Sequence, residues 1–167
     1  MFRELFDLPA HALIVHAAVV FIPLAAVAAI VYALWPRGRQ HIWWAVLGLA
    51  VLAPITAWAA VLSGQEYERI WIDRIGPNPQ GGALNVLHEI DNHQSLGNLT
   101  AYVATALGVV LLVAVLWALP GPLVKGAAAP TVVRIVTAVV TIGLALATLY
   151  YAIRTGDAGA RVSHEEI

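Results

Sequence analysis

Two pairs of histidines repeat one spacing in this chain: His11 with His16, and His88 with His93. Imidazole titrates near neutral pH and is a common metal ligand. His16 and His93 each lie at the start of a long apolar run, where a polar ring needs a partner or a task. Two imidazoles from different helices can clamp the iron of haem b, which makes His16 and His93 the candidate metal ligands. The same pair could serve a proton or quinol site. Five residues turn a helix by about 140° and rise about 7.5 Å. His11 and His88 therefore fall on another face, nearer water, where they could bond a propionate, a quinone carbonyl or lipid. Arg69 and Arg161 leave the membrane on the same side. Arginine binds carboxylates bidentately, so haem propionates or lipid phosphates are their natural partners. The plainer alternatives are an imidazole bonded to a neighbouring helix, through a backbone carbonyl or Asn98, and arginines that pair near helix ends or touch lipid.

The elements that must position these residues are membrane helices. The 167 residues are 60% hydrophobic and 11% charged, against about 25% charged in soluble domains. Mean hydropathy is +0.80. A bilayer core needs about 20 apolar residues as helix, and four runs meet that length: 12–35, 42–62, 96–119 and 132–153. The first is longer than the core of a cleaved signal peptide and reads as retained. The chain is thus expected to be all-α, a single membrane domain over 1–167. Its four-helix bundle should run at about 10–35, 41–63, 84–119 and 131–154, with Pro23 and Pro54 inside the first two helices. A net charge of −1 excludes a basic nucleic-acid surface. The lack of cysteine excludes disulfides, thiolate metal sites and covalently attached c-type haem.

An even number of spans puts both termini on one side. The two short turns carry Arg37, Arg39, Lys125 and Arg134 and no acid, while the termini and the 63–95 connection hold every Asp and Glu. Basic short loops mark the cytoplasmic side, and Trp35, Trp43, Trp44 and Trp117 form an aromatic belt there. The expected location is a bacterial inner membrane, crossed several times, with both termini extracytoplasmic.

The ends of the second and fourth runs align without a gap. Thr56-x-Trp58-x-Ala60-x-x-Ser63-Gly64 continues to Arg69 as Thr148-x-Tyr150-x-Ala152-x-x-Thr155-Gly156 continues to Arg161. Together with the histidine spacing, this predicts two repeated helical hairpins in parallel, with His11 matched to His88 and His16 to His93. A metal set from His88, Glu89, Asp91 and His93 is a further candidate, although Ala12 and Ile14 stand at the matching places in the first half. An acidic, solvated helix start is the plainer account of it, and the one preferred.

Leu8-Pro9-Ala10-His11-Ala12-Leu13-Ile14-Val15-His16 resembles the His-Pro-x-x-x-Val-His-Phe-Pro opening of a bacterial family of small four-helix membrane proteins. That family is catalogued as domain of unknown function 2231. Ser63-Gly64, His93 before Asn98, and Thr155-Gly156-Asp157-x-Gly159 also resemble its pattern, over nearly the whole chain. Ala12 and Ala17 depart from it, standing where the pattern has Pro and Phe. Members joined to Rieske-type iron–sulfur domains imply a place near electron transfer. The leading expectation is a redox or electron-transfer protein holding haem b or quinone near the extracytoplasmic face. Its partners would be membrane lipids and a membrane redox complex or Rieske-type protein. The alternatives are a non-catalytic accessory or scaffold subunit, with seams such as Gly143-x-x-x-Ala147, and a small metal-handling or transport protein. No nucleophile beside a base and no phosphate loop points to a hydrolase.

Overall fold

Among the described residues four long helices form, and all four are long and apolar enough to cross a membrane. The computed structural model describes residues 4–5, 8–76, 80–124 and 129–165, so Lys125 lies outside the described residues. A short antiparallel pair, β1 (Glu4–Leu5) with β2 (Leu8–Pro9), precedes α1 (Ala10–Leu34). Then come α2 (Arg39–Ile75), α3 (Gly82–Val113) and α4 (Thr131–Glu165). The last turn of α3 widens into a π-helical segment, Ala114–Ala118, closed by the Leu119 amide on the Ala114 carbonyl. Neighbours in sequence are neighbours in space, and α4 closes the ring onto α1, so α1 and α3 stand on a diagonal.

Two helices run further than their apolar stretches. α2 continues past Gly64 to Ile75, and α4 past Gly156 to Glu165, about three turns each beyond the ends expected near 63 and 154. A glycine inside a helix costs about 1 kcal/mol relative to alanine, too little to end one that is otherwise supported. Beyond each glycine the side chains pair along the helix: Arg69 with Glu66 at 3.8 Å, and Arg161 with Asp157 at 2.8 Å. α3 starts at Gly82, after Gly76 and Gly81 take positive φ and break the chain.

Small residues make the core. Ala26, Ala29, Ala50, Ala114 and Ala145 are buried beside Tyr32, Val46, Leu107 and Leu111. Without a hydrophobic driving force between helices, close backbone packing and interhelical bonds must hold a membrane bundle. α2 and α3 approach closely where a Cβ on Gly108 would run into the Ala50 carbonyl oxygen. Next to it, Trp58 Nε1 donates to Thr105 Oγ1 across the same pair of helices at 3.0 Å. Outward-facing positions such as Leu24, Val27, Ile55, Val109 and Val139 are large, apolar and exposed, as lipid contact requires.

Arg39 seals the far end of the first hairpin. Its guanidinium donates from Nε to the Tyr32 carbonyl (2.8 Å) and from Nη2 to the Ala33 carbonyl (2.9 Å), and it lies over the Tyr32 ring. These are last-turn carbonyls of α1, which lack helical partners and carry the negative end of the helix dipole. Trp35, Trp44 and Trp117 are exposed at this same end.

Candidate functional site

The opposite end of the bundle, where the chain begins and ends, contains a cavity of about 1050 Å³. That is the upper end of the size range of small-molecule sites. All four helices line it, and its polar groups are His11, His16, Glu68, His93, Gln94, Thr100 and Thr155.

Two of its imidazoles are held alike. His11 Nδ1 meets Ser63 Oγ at 2.9 Å, from α1 to α2. The Ser63 hydroxyl donates to the Ala60 carbonyl, so its oxygen accepts and His11 carries its proton on Nδ1. His93 Nδ1 meets the Thr155 carbonyl at 3.0 Å, from α3 to α4. A carbonyl can only accept, so His93 is also the Nδ1–H tautomer. Both neutral rings thereby place the lone pair on Nε2. Metal-ligating histidines are commonly oriented in this way, by an Nδ1–H bond to a nearby oxygen.

Each ring also packs on a glycine. A Cβ at Gly64 would come 3.1 Å from His11 Cε1, and one at Gly159 would come 2.8 Å from His93 Cε1. Thr100 and Thr155 share a hydroxyl bond of 2.8 Å beside His93.

The structure therefore pairs the histidines differently from their spacing. His93 has its counterpart in His11, not in His16. Sliding α1 along α3 until His11 falls on His93 also matches the buried faces. Ala18, Ile22, Ala25, Ala26, Ala29, Tyr32 and Ala33 land on Thr100, Ala104, Leu107, Gly108, Leu111, Ala114 and Val115, and every one of these residues is buried. In the motif register, with His11 on His88, Ala18, Ile22 and Ala25 land instead on exposed Ser95, Leu99 and Tyr102. The repeated spacing misleads because five residues do not return to the same helix face.

The remaining candidates are scattered. His16 is exposed at the edge of the cavity, and His88 is exposed and does not line it. Arg69 and Arg161 are both exposed and turned to Glu66 and Asp157, and neither lines the cavity. Their expected approach to its mouth is replaced by pairing along their own helices. Among the described residues, no three of the His, Asp and Glu side chains gather as a metal set, and His88 and Asp91 of the acidic cluster are exposed. Glu68, Gln94 and Gly159 join the site without having been candidates from the sequence. Only Gly159 carries a signal there, as the final position of the Thr155-Gly156-Asp157-x-Gly159 pattern.

Burial holds the His11 pKa below its ordinary value of 6.5, and the nearby His93 imidazole adds to that effect, partly offset by the Ala60 carbonyl. A lowered folded pKa means that the unfolded chain binds the proton more readily. Stability from this group is then complete above about pH 6.5 and is lost as the pH falls below it. In detergent, the unfolding temperature is expected to drop on acidification from pH 7.5 to 5.5, and less steeply in His11→Gln. An equal drop in both proteins would remove His11 as a source of the pH dependence.

No family model matches the chain, and no curated protein or solved structure matches it significantly.

Proposed function

We propose that this integral membrane protein has a redox role and holds a flat lipid-soluble group, haem b or a quinone, near its extracytoplasmic face. One observation carries the reading: two imidazoles from diagonal helices, each fixed at Nδ1 and seated on a glycine, line one cavity of about 1050 Å³. Fixed tautomers suit either ligand. The Nε2 lone pair of His93 can bind iron, and it can equally accept a hydrogen bond from a quinol hydroxyl. Haem bound there would supply one-electron transfer, with His11 and His93 as the residues to hold it. The matched buried faces of α1 and α3 support two repeated hairpins in the His11-on-His93 register. A place in a bacterial inner membrane beside a redox complex or Rieske-type partner follows from the family the sequence resembles.

The test is an absorption spectrum of the purified protein after haem addition, together with a quinone titration followed by tryptophan fluorescence. Binding of at least one ligand is expected. His11→Ala and His93→Ala should each weaken it about a hundredfold, or about 2.7 kcal/mol, and His41→Ala should leave it unchanged. A folded protein that binds neither ligand would sink the redox reading and leave the scaffold role. For orientation, Asp73→Cys is expected to label in intact cells and Arg37→Cys to stay protected. The reverse pattern would invert the topology.

A further inference from the structure

We infer that the occupant is a quinone with a long apolar tail, which enters sideways from the bilayer through the seam between α1 and α4. This rests on the redox reading above and narrows it to one ligand class.

The cavity wall changes character with depth. Glu68, His11, His93 and Gln94 line its outer part, and Ile22, Pro23, Ala57 and Leu149 its inner part. Along α2, Glu68 and Ala57 are separated by roughly 16 Å of helix, about half the ~30 Å thickness of a hydrocarbon core. A polar ring therefore fits at the outer end with an apolar chain running inward. Val19 on α1 and Ile153 on α4 line the cavity, yet they are 62% and 70% exposed. In a bilayer that exposure is to lipid. Val19 belongs to α1 and Ile153 to α4, the adjacent pair of helices with the sparsest packing. A side opening between these two helices would join the cavity to the membrane interior.

Charge selects the head. Among the described residues, the lining holds one carboxylate, Glu68, and neither lysine nor arginine. Arg69 and Arg161, the natural partners for propionates or phosphates, are engaged by Glu66 and Asp157 outside it. An uncharged ring suits this lining better than a dicarboxylate or a phospholipid head.

The experiment uses the whole protein in nanodiscs of zwitterionic lipid, with two quinones that share one ring, one without a tail and one with a tail of several isoprene units. Association is read from the time course of tryptophan fluorescence quenching, in the wild type and in Val19→Phe/Ile153→Phe. Phenylalanine at lipid-facing positions narrows the seam and leaves the core untouched. The tailed quinone is expected to associate about tenfold more slowly with the variant, with the rate of the tailless ring changed less than about twofold. Tailless binding also reports that the variant is folded. Equal association rates of the tailed quinone with both proteins, or equal slowing of both quinones, overturn the side route while the redox reading stands. A wild type that binds haem and neither quinone overturns the choice of ligand. A wild type that binds nothing overturns the redox reading itself.

Discussion

Gly108→Ala is expected to destabilise the protein by about 3 kcal/mol, the upper range for forcing a methyl group into a packed interior. The added Cβ would meet the Ala50 carbonyl oxygen and press on the Pro54 ring, whose Cγ lies 3.4 Å away. The carbonyl is helix backbone, so no rotamer change relieves the overlap. α2 and α3 must separate, which also strains the Trp58–Thr105 bond beside them. Gly48 and Gly143 are the controls, since nothing lies within 4 Å of a Cβ at either position. Alanine there should be neutral or slightly stabilising, because it favours helix by about 1 kcal/mol. Unfolding in mixed micelles measures all three variants. A Gly108→Ala protein as stable as Gly48→Ala would show that the α2–α3 seam has room to spare.

Gly159→Val is expected to leave the bundle folded and to weaken ligand binding about a hundredfold. Here the obstruction is a side chain, the His93 ring, with Cε1 at 2.8 Å and Nδ1 at 3.2 Å from the new Cβ. A ring can swing away where a carbonyl cannot, so the helices stay in place. The cost falls on the bond from His93 Nδ1 to the Thr155 carbonyl. Once that bond is lost, neither the tautomer nor the direction of the ring is fixed. The readout is affinity set against unfolding temperature in the same preparation. Unchanged affinity in the folded variant would mean that the seating of His93 is irrelevant to binding. Together the two glycine variants separate the packing of the bundle from the geometry of its site.

The four spans are legible in the sequence because length and apolarity alone define a membrane helix. The start of α3 near Gly82 is legible from the glycine and proline run before it. Ser63, whose hydroxyl fixes the His11 ring, is also visible as a polar position matched to Thr155, but the bond to His93 comes from the Thr155 backbone carbonyl, which no side chain announces. The register between the halves is not legible. In a soluble helix the buried face stands out as the apolar one, but a membrane helix is apolar all round. Val19 faces lipid and Ala18 the core, and hydropathy hardly separates them. The histidine spacing then becomes the strongest visible signal, and it points to His16 in place of His11. The outer lengths of α2 and α4 are hidden for a different reason. Gly64 and Gly156 look like helix ends, whereas pairing along the helix beyond them, as between Asp157 and Arg161, keeps the turns going.

Each imidazole is anchored inside its own hairpin, His11 by α2 and His93 by α4, while the cavity between them needs both hairpins. Occupancy and docking of the two halves are therefore one linked equilibrium. Any molecule that touches both walls and ignores the separated hairpins pulls them together by RT ln(1 + [L]/Kd), about 2.7 kcal/mol at a hundred times Kd. Residues 1–76 and 80–167, expressed as two separate chains, would then associate more tightly in membranes that contain the ligand than in membranes depleted of it. Complementation between the split halves becomes an assay for the natural occupant, whatever its chemical class.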